Sequence, residues 1–293
     1  MDLRHLRYFI AVAEELHFGR AAERLNIEQS PLSRTIKKLE SELGVILFER
    51  TSRGTRLTWA GQVFLEDARR VLLCLEQAKT NVKAASTGYR GTLRIALSDG
   101  IARSRLTALL ALCREEEPEV EIRLFEIPFS KQLKGFRNDL YDAGFALADE
   151  IVDGIVAEPV WHDPLVVAVP SRHPLLAHRR VPLDEVVNYP LVLCHPEVCE
   201  GCSQQLERLL RSVDTQPVVA ERVVTHDLML TLVAAGYGVG FSSAAHLEAC
   251  HHKGVVARPL AGPFMMTTFL LRSDNEPSEQ LSNFIRRVNH VGA

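Results

Sequence analysis

Three thiols and an imidazole share one short stretch, Cys194-His195-Pro196-Glu197-Val198-Cys199-Glu200-Gly201-Cys202, and His246, Cys250, His251 and His252 follow later. A C-x2-C pair can hold a soft metal or cycle through a disulfide. No second C-x2-C completes a zinc knuckle, so redox or metal sensing through Cys199 and Cys202 competes with a plain reading as pocket-lining or surface residues. Signatures of catalysis are missing. The chain has no Gly-x-Ser-x-Gly elbow, no phosphate loop ending in Gly-Lys-Ser/Thr and no His-Glu-x-x-His. It is expected to be no enzyme, and neither a cofactor nor a resident metal is expected.

The strongest constellation lies near the start. Residues 18–40 read as two short helices joined by a tight turn, the geometry of a helix-turn-helix. Ala21 and Ala22 are small enough to let a crossing helix approach, and Asn26-Ile27 forms the turn. Ser30 is expected to cap the second helix, with Pro31 at its first position, where a missing N–H costs nothing. Leu32, Ile36 and Leu39 make the buried stripe. Gln29, Ser30, Pro31, Ser33, Arg34 and Lys37 remain for DNA, with Arg34 as the base reader, worth roughly 1–3 kcal/mol of discrimination at a guanine edge. Residues 50–56, Arg-Thr-Ser-Arg-Gly-Thr-Arg, suit the loop of a winged helix, and Arg53 is its candidate phosphate contact.

These residues need a scaffold, and 293 residues suffice for two or three compact units. Residues 1–58 carry ten Lys/Arg against eight Asp/Glu, and the remainder twenty-four against twenty-nine. A basic head on an acidic body has the right sign for a DNA binder, although bulk charge alone would argue against one. The opening Met-Asp-Leu-Arg-His-Leu is no signal peptide and no apolar run nears 18 residues, so a cytoplasmic protein with no membrane partner is expected. Six scattered cysteines suit a reducing compartment.

Thr58 is placed to cap a helix from Trp59 to about Ser86. Phe64, Ala68, Val71, Leu75, Ala78, Val82 and Ala85 form a heptad seam along it, which predicts a dimerisation helix. Residues 87–91, Thr-Gly-Tyr-Arg-Gly, then make a hinge. Beyond it strands and helices alternate, implying α/β architecture with parallel sheets covered by helices. The expected domains are 1–58 (winged helix-turn-helix), 59–90 (linker helix and hinge) and 91–293 (effector domain). Crossings near Trp161 and Met265 would divide the last into lobe I (about 91–161 and 266–293) and lobe II (about 162–265), a clamp around a small molecule.

The chain resembles the LysR-type transcriptional regulators along its full length. The resemblance rests on Leu6-Arg7-Tyr8-Phe9, Ala21-Ala22-Glu23-Arg24-Leu25, Gln29-Ser30-Pro31-Leu32-Ser33-Arg34, Leu39-Glu40, Leu57-Thr58-Trp59-Ala60-Gly61 and Leu232-Val233-Ala234-Ala235-Gly236-Tyr237-Gly238. In its head, His17-Phe18-Gly19-Arg20 and Ser30-Pro31-Leu32-Ser33 are most similar to the subgroup sensing aromatic acids and muconate-like catabolites. The resemblance implies a winged helix-turn-helix on promoter DNA, a linker-helix homodimer assembling to a homotetramer, and a periplasmic-binding-protein-like effector domain with an inducer between its lobes. RNA polymerase is a further candidate partner.

Carried onto this chain, the inducer cleft falls at Ser98-Asp99-Gly100, at Phe129-Ser130, and at His195-Pro196 together with Thr225-His226-Asp227. In the muconate-sensing subgroup hydroxyls stand at the positions of Gly100 and Phe129 and a basic residue at Leu147; their absence argues against a dicarboxylate. Ser98 or Ser130 with helix N-terminal amides could hold one anion of an organic acid. Asp99 and Asp227 would instead suit an amine or serve as helix caps. The family also includes thiol-based peroxide sensors, whose reactive pair is more widely separated than Cys199 and Cys202.

Overall fold

The computed structural model describes residues 1–51, 54–86, 88–98, 100–148, 152–250 and 252–292. The chain forms two compact units, Met1–Ser86 and Thr87–Ala293. In the first, helices α1 (Leu3–Glu15), α2 (Phe18–Arg24) and α3 (Gln29–Leu43) precede the hairpin β1 (Phe48–Thr51)–β2 (Gly54–Leu57) and the long helix α4 (Trp59–Ser86). Phe9 is fully buried, and its ring lies 5.3 Å from Phe48 and 4.8 Å from Phe64, so one aromatic contact set joins α1, the hairpin and α4. Leu32, Ile36 and Leu39 of α3 belong to the same core.

Local hydrogen bonds set the joints of this head. The Glu40 carboxylate accepts from the backbone N–H groups of Leu47 (2.8 Å) and Phe48 (3.1 Å), tying α3 to the first wing strand. Thr58 Oγ1 accepts from the Gly61 N–H at 2.9 Å and starts α4. Helix α3 begins earlier than its residues suggest. Its N-cap is Glu28, which makes no side-chain cap bond, so Ser30 is no cap and Pro31 is the third helical residue rather than the first. Both positions lie in the first turn, where an N–H has no helical acceptor, so proline fits either.

The expected seam of α4 is divided. Phe64 and Ala68 are used in the head's own core. Val71 and Val82 stay exposed, as do Trp59, Val63 and Leu73.

The second unit contains, in order, β3 (Gly91–Leu97), α5 (Arg103–Glu116), β4 (Val120–Glu126), α6 (Phe129–Arg137), β5 (Ala143–Ala146), β6 (Ile155–Pro170), α7 (Leu183–Val186), β7 (Leu191–Cys194), α8 (Glu200–Leu210), β8 (Val219–Val223), α9 (His226–Ala234), β9 (Gly240–Ser243), α10 (Ala244–Cys250), β10 (Val255–Pro259), β11 (Met265–Ser273) and α11 (Glu279–Gly292). Strand β3 pairs in parallel with β4 and β5, and β7 with β8. The expected parallel order stops there: β6 is antiparallel to β11 as far as Pro164 and to β9 and β10 from Leu165 on. That change of partner divides the unit into two lobes sharing one continuous strand. Pro159 is accommodated opposite the register shift between Thr268 and Phe269, where no ladder N–H is required.

Helix α11 returns to the first lobe. Arg287, nearly fully buried, donates to Glu116 (2.7 Å) and Glu117 (2.9 Å) of the α5 terminus, and the Trp161 indole N–H donates to the Val288 carbonyl at 3.2 Å. Helix α8 crosses between lobes: the Gln205 amide donates to the carbonyls of Leu147 and Thr267 and accepts from the Thr267 N–H. Gly201 lies directly on the Leu147–Ala148 backbone, with no room for a Cβ.

A Gly201→Ala substitution sets helix propensity, worth up to about 1 kcal/mol in favour of alanine, against a clash with backbone that cannot rotate away. The clash wins, with a net loss of about 1–3 kcal/mol. Chemical denaturation reads this directly; an unchanged or raised midpoint would show that α8 does not need its close seat.

Candidate nucleic-acid interface and effector cleft

Helix α3 turns one face to the core and the other outward. Gln29, Ser30, Pro31, Arg34 and Lys37 are exposed and Ser33 is half-buried, while Leu32, Ile36 and Leu39 are fully buried. The turn before it depends on Asn26 in the left-handed region (φ 54°), with the Ile27 N–H donating to the Ala22 carbonyl. Ala21 and Ala22 are buried where α2 meets α3.

Charge placement sharpens this face. The cations of α2 are neutralised from α1: Arg24 pairs with Glu14 at 2.8 Å and Arg20 with Glu15 at 3.5 Å. Arg69 of α4 also reaches Glu14 at 2.8 Å, and that hydrogen bond, with the one from Arg24, holds the Glu14 carboxyl below the usual range. Lys38 pairs with Glu42. Among the described residues, Arg34 and Lys37 make no ion pair. Arg53 lies outside the described residues, and Arg56 of the wing pairs with Glu49.

In the second unit, the carboxyl ends of the parallel strands β3, β4 and β5 face the second lobe, where ligands of such sheets bind. A cavity of about 380 Å³ lies there, lined from the first lobe by Arg103, Glu126, Ile127 and Pro128 and from the second by Thr225, His226, Asp227 and His246, among others. An adjoining cavity of about 290 Å³ is lined by Ser98, Gly100 and Thr107 and shares Arg103, Glu126 and His246 with it. The expected residues Ser98, Gly100, His226 and Asp227 therefore come together. Asp99 lies outside the described residues.

Four others do not line the cleft. Phe129 is buried in a separate apolar cluster, because it opens α6 on its core-facing side. Ser130 is already engaged: its N–H and hydroxyl donate to the Glu200 carboxylate at 3.0 and 2.7 Å, so an acid of the second lobe occupies the first turn of α6. His195 and Pro196 shape the turn after β7, where the Glu197 N–H donates to the His195 ring at 3.3 Å.

Arg103, Glu126 and His246 line the cleft although their sequence context does not place them there. Arg103 opens α5, where a cation opposes the helix dipole; that local electrostatic cost was the available signal. Glu126 ends β4, and His246 lies within α10, so only the tertiary fold brings them together. His226 is buried, with its Nε2 2.8 Å from Ser242 Oγ and its ring centroid 4.2 Å from that of His246. Burial, helped by the neighbouring His246 and Arg103, pushes the His226 imidazole down to about 3, so it is neutral. Among the described residues, the cleft offers one permanent cation, two carboxylates and imidazole hydrogen-bonding groups.

The thiols of Cys194, Cys199 and Cys202 are buried in the main core of this unit. Reactive thiols are partly exposed in an electropositive setting. These three instead behave as small apolar core residues. Among the described residues no helix is long and apolar enough to cross a membrane.

Comparison with known proteins places both units. Residues 3–62 match the bacterial regulatory helix-turn-helix proteins of the lysR family, and residues 86–293 match the LysR substrate binding domain. The chain is 35% identical over 246 residues to the uncharacterized HTH-type transcriptional regulator YnfL of Escherichia coli K12, covering 84% of this chain and 83% of that one. It is 34% identical to the transcriptional regulator ClcR of Pseudomonas putida, covering 82% and 81%. The crystal structure of CbnR, a LysR family transcriptional regulator, superposes with a TM-score of 0.78 at 26% identity over all of both chains. Full-length CbnR complexed with its target DNA gives 0.79 at 25%, covering 99% of this chain and 100% of that one. With a helix-turn-helix head whose helix α3 presents an exposed polar face and a two-lobed domain that encloses a cleft, the chain belongs to the LysR family of DNA-binding transcriptional regulators.

Proposed function

We propose that this regulator binds promoter DNA as a dimer through α3, and that a small polar effector in the interlobe cleft governs that binding. The observation that carries the reading is the cleft itself: Arg103 and Glu126 from one lobe face His226 and Asp227 from the other across one cavity. A ligand touching both lobes shifts their equilibrium only by its difference in affinity for the two arrangements, and tenfold corresponds to about 1.4 kcal/mol. One cation between two carboxylates suits a zwitterion or an amine-bearing acid better than a dicarboxylate.

On DNA, Arg34 is the base reader, and Gln29, Ser30, Ser33 and Lys37 position the helix on the backbone. The likeness to CbnR complexed with its target DNA supports DNA binding by this chain. The exposed apolar residues of α4, Val63, Val71 and Val82 among them, suit pairing of two chains, which would present two reading helices to two half-sites. Two such dimers would make the tetramer.

Arg34→Ala is expected to cost about 1–3 kcal/mol on the specific site and to relax base preference. Lys37→Ala is expected to weaken all sequences alike and to lower the salt slope by about 1. Fluorescence anisotropy over a salt series separates them; equal behaviour of the two variants would refute the assignment of roles. For the cleft, Arg103→Ala and Glu126→Gln should abolish the promoter response to a zwitterionic effector while effector-free DNA affinity stays within twofold, about 0.4 kcal/mol. A full response in both variants would place the effector elsewhere.

A further inference from the structure

Helices α9 and α10 bring a third kind of chemistry to the wall of the second lobe. One donor atom each from the Asp227 carboxylate, the His246 imidazole and the Cys250 thiol lies within 4.8 Å of the other two, and Cys250 Sγ is 3.9 Å from Asp227 Oδ1. His246 and Cys250 stand four residues apart on α10, so their side chains share one helical face. Zinc bonds of about 2.0–2.3 Å put two donors on one ion roughly 3.5 Å apart, with an upper limit near 4.5 Å. Small side-chain rotations close that difference.

The donor set selects its ion. Sulfur, nitrogen and oxygen together suit zinc, cobalt or nickel, whereas calcium and magnesium take oxygen ligands. Thiolate and carboxylate supply two negative charges, which balance a divalent cation beside the Arg103 guanidinium. Asp227 is exposed, giving access to solvent, and His246 is buried, giving a fixed anchor. A purely local account has Asp227 favouring the first turn of α9 and accepting from Cys250. That account does not call for an imidazole one turn before the thiol.

We infer that Asp227, His246 and Cys250 bind a borderline divalent transition-metal ion of the zinc class at the edge of the interlobe cleft. On binding, the Cys250 S–H bond breaks, its proton leaves to solvent and a metal–sulfur bond forms. Three protein ligands leave a fourth position open. The site is distinct from the Cys199–Cys202 pair, and it does not depend on the cleft also taking an organic effector.

The test uses tag-free full-length protein stripped with chelator, with cobalt(II) and zinc(II) alone as probes. The expected result is one cobalt ion per chain with a thiolate-to-cobalt charge-transfer band, displaced by zinc. Cys250→Ser should lose the band, and it and Asp227→Asn should each weaken zinc binding at least about tenfold. Both positions lie outside the buried core, and the Cys199→Ser, Cys202→Ser double variant should bind as the parent does. A cobalt complex without the band, a band that persists in Cys250→Ser, or zinc affinity unchanged in Cys250→Ser and Asp227→Asn would overturn the inference.

Discussion

Burial of Leu32, Ile36 and Leu39 in the core built on Phe9, Phe18 and Phe48 is the contact on which the head depends. It fixes the rotation of α3 about its own axis and so decides that Arg34 and Lys37 face outward. The same aromatic core takes Phe64 and Ala68 of α4, so the linker helix starts from a fixed base. Glu14 and Glu15 then neutralise the cations of α2, which leaves Arg34 and Lys37, among the described residues, as unpaired cations on the exposed face of α3. A weakly charged head can therefore act on DNA through placement.

In the second unit the corresponding constraint is the seat of α8. Gly201 against Leu147–Ala148, the three Gln205 hydrogen bonds and the Ser130–Glu200 pair all join the lobes on one side of the cleft. Elsewhere α5 of the first lobe packs on α10 of the second, and Arg103 and Glu126 face α9 and α10 across the cavity.

Much of this was legible in the residues, and the failures have physical causes. Helix α4 runs from Trp59 to Ser86 as read, because Thr58 caps it and Gly88 stands beyond it in the left-handed region (φ 95°). The helix-turn-helix was legible from Ala21-Ala22 and the Leu32, Ile36, Leu39 stripe, all local signals. The first half of β6 is hard to read from the sequence because Pro159 and Pro164 look like strand breakers, and only the pairing with β11, whose register shift skips Val160, accommodates Pro159. The start of α8 at Glu200 is hidden in the sequence, since Gly201 looks like a helix end when its close contact with Leu147 is unseen. Arg103, Glu126 and His246 meet only through long-range topology, which periodicity cannot report.

The most direct test of the account is selection of bound sequences from a randomised DNA pool by the full chain and by its Arg34→Lys variant. The account predicts a dyad in the parent's selected sites and, in the variant, a loss of preference at one guanine in each half-site, because an ammonium cannot reproduce the bidentate guanidinium contact. Identical sequence preference in parent and variant would contradict it.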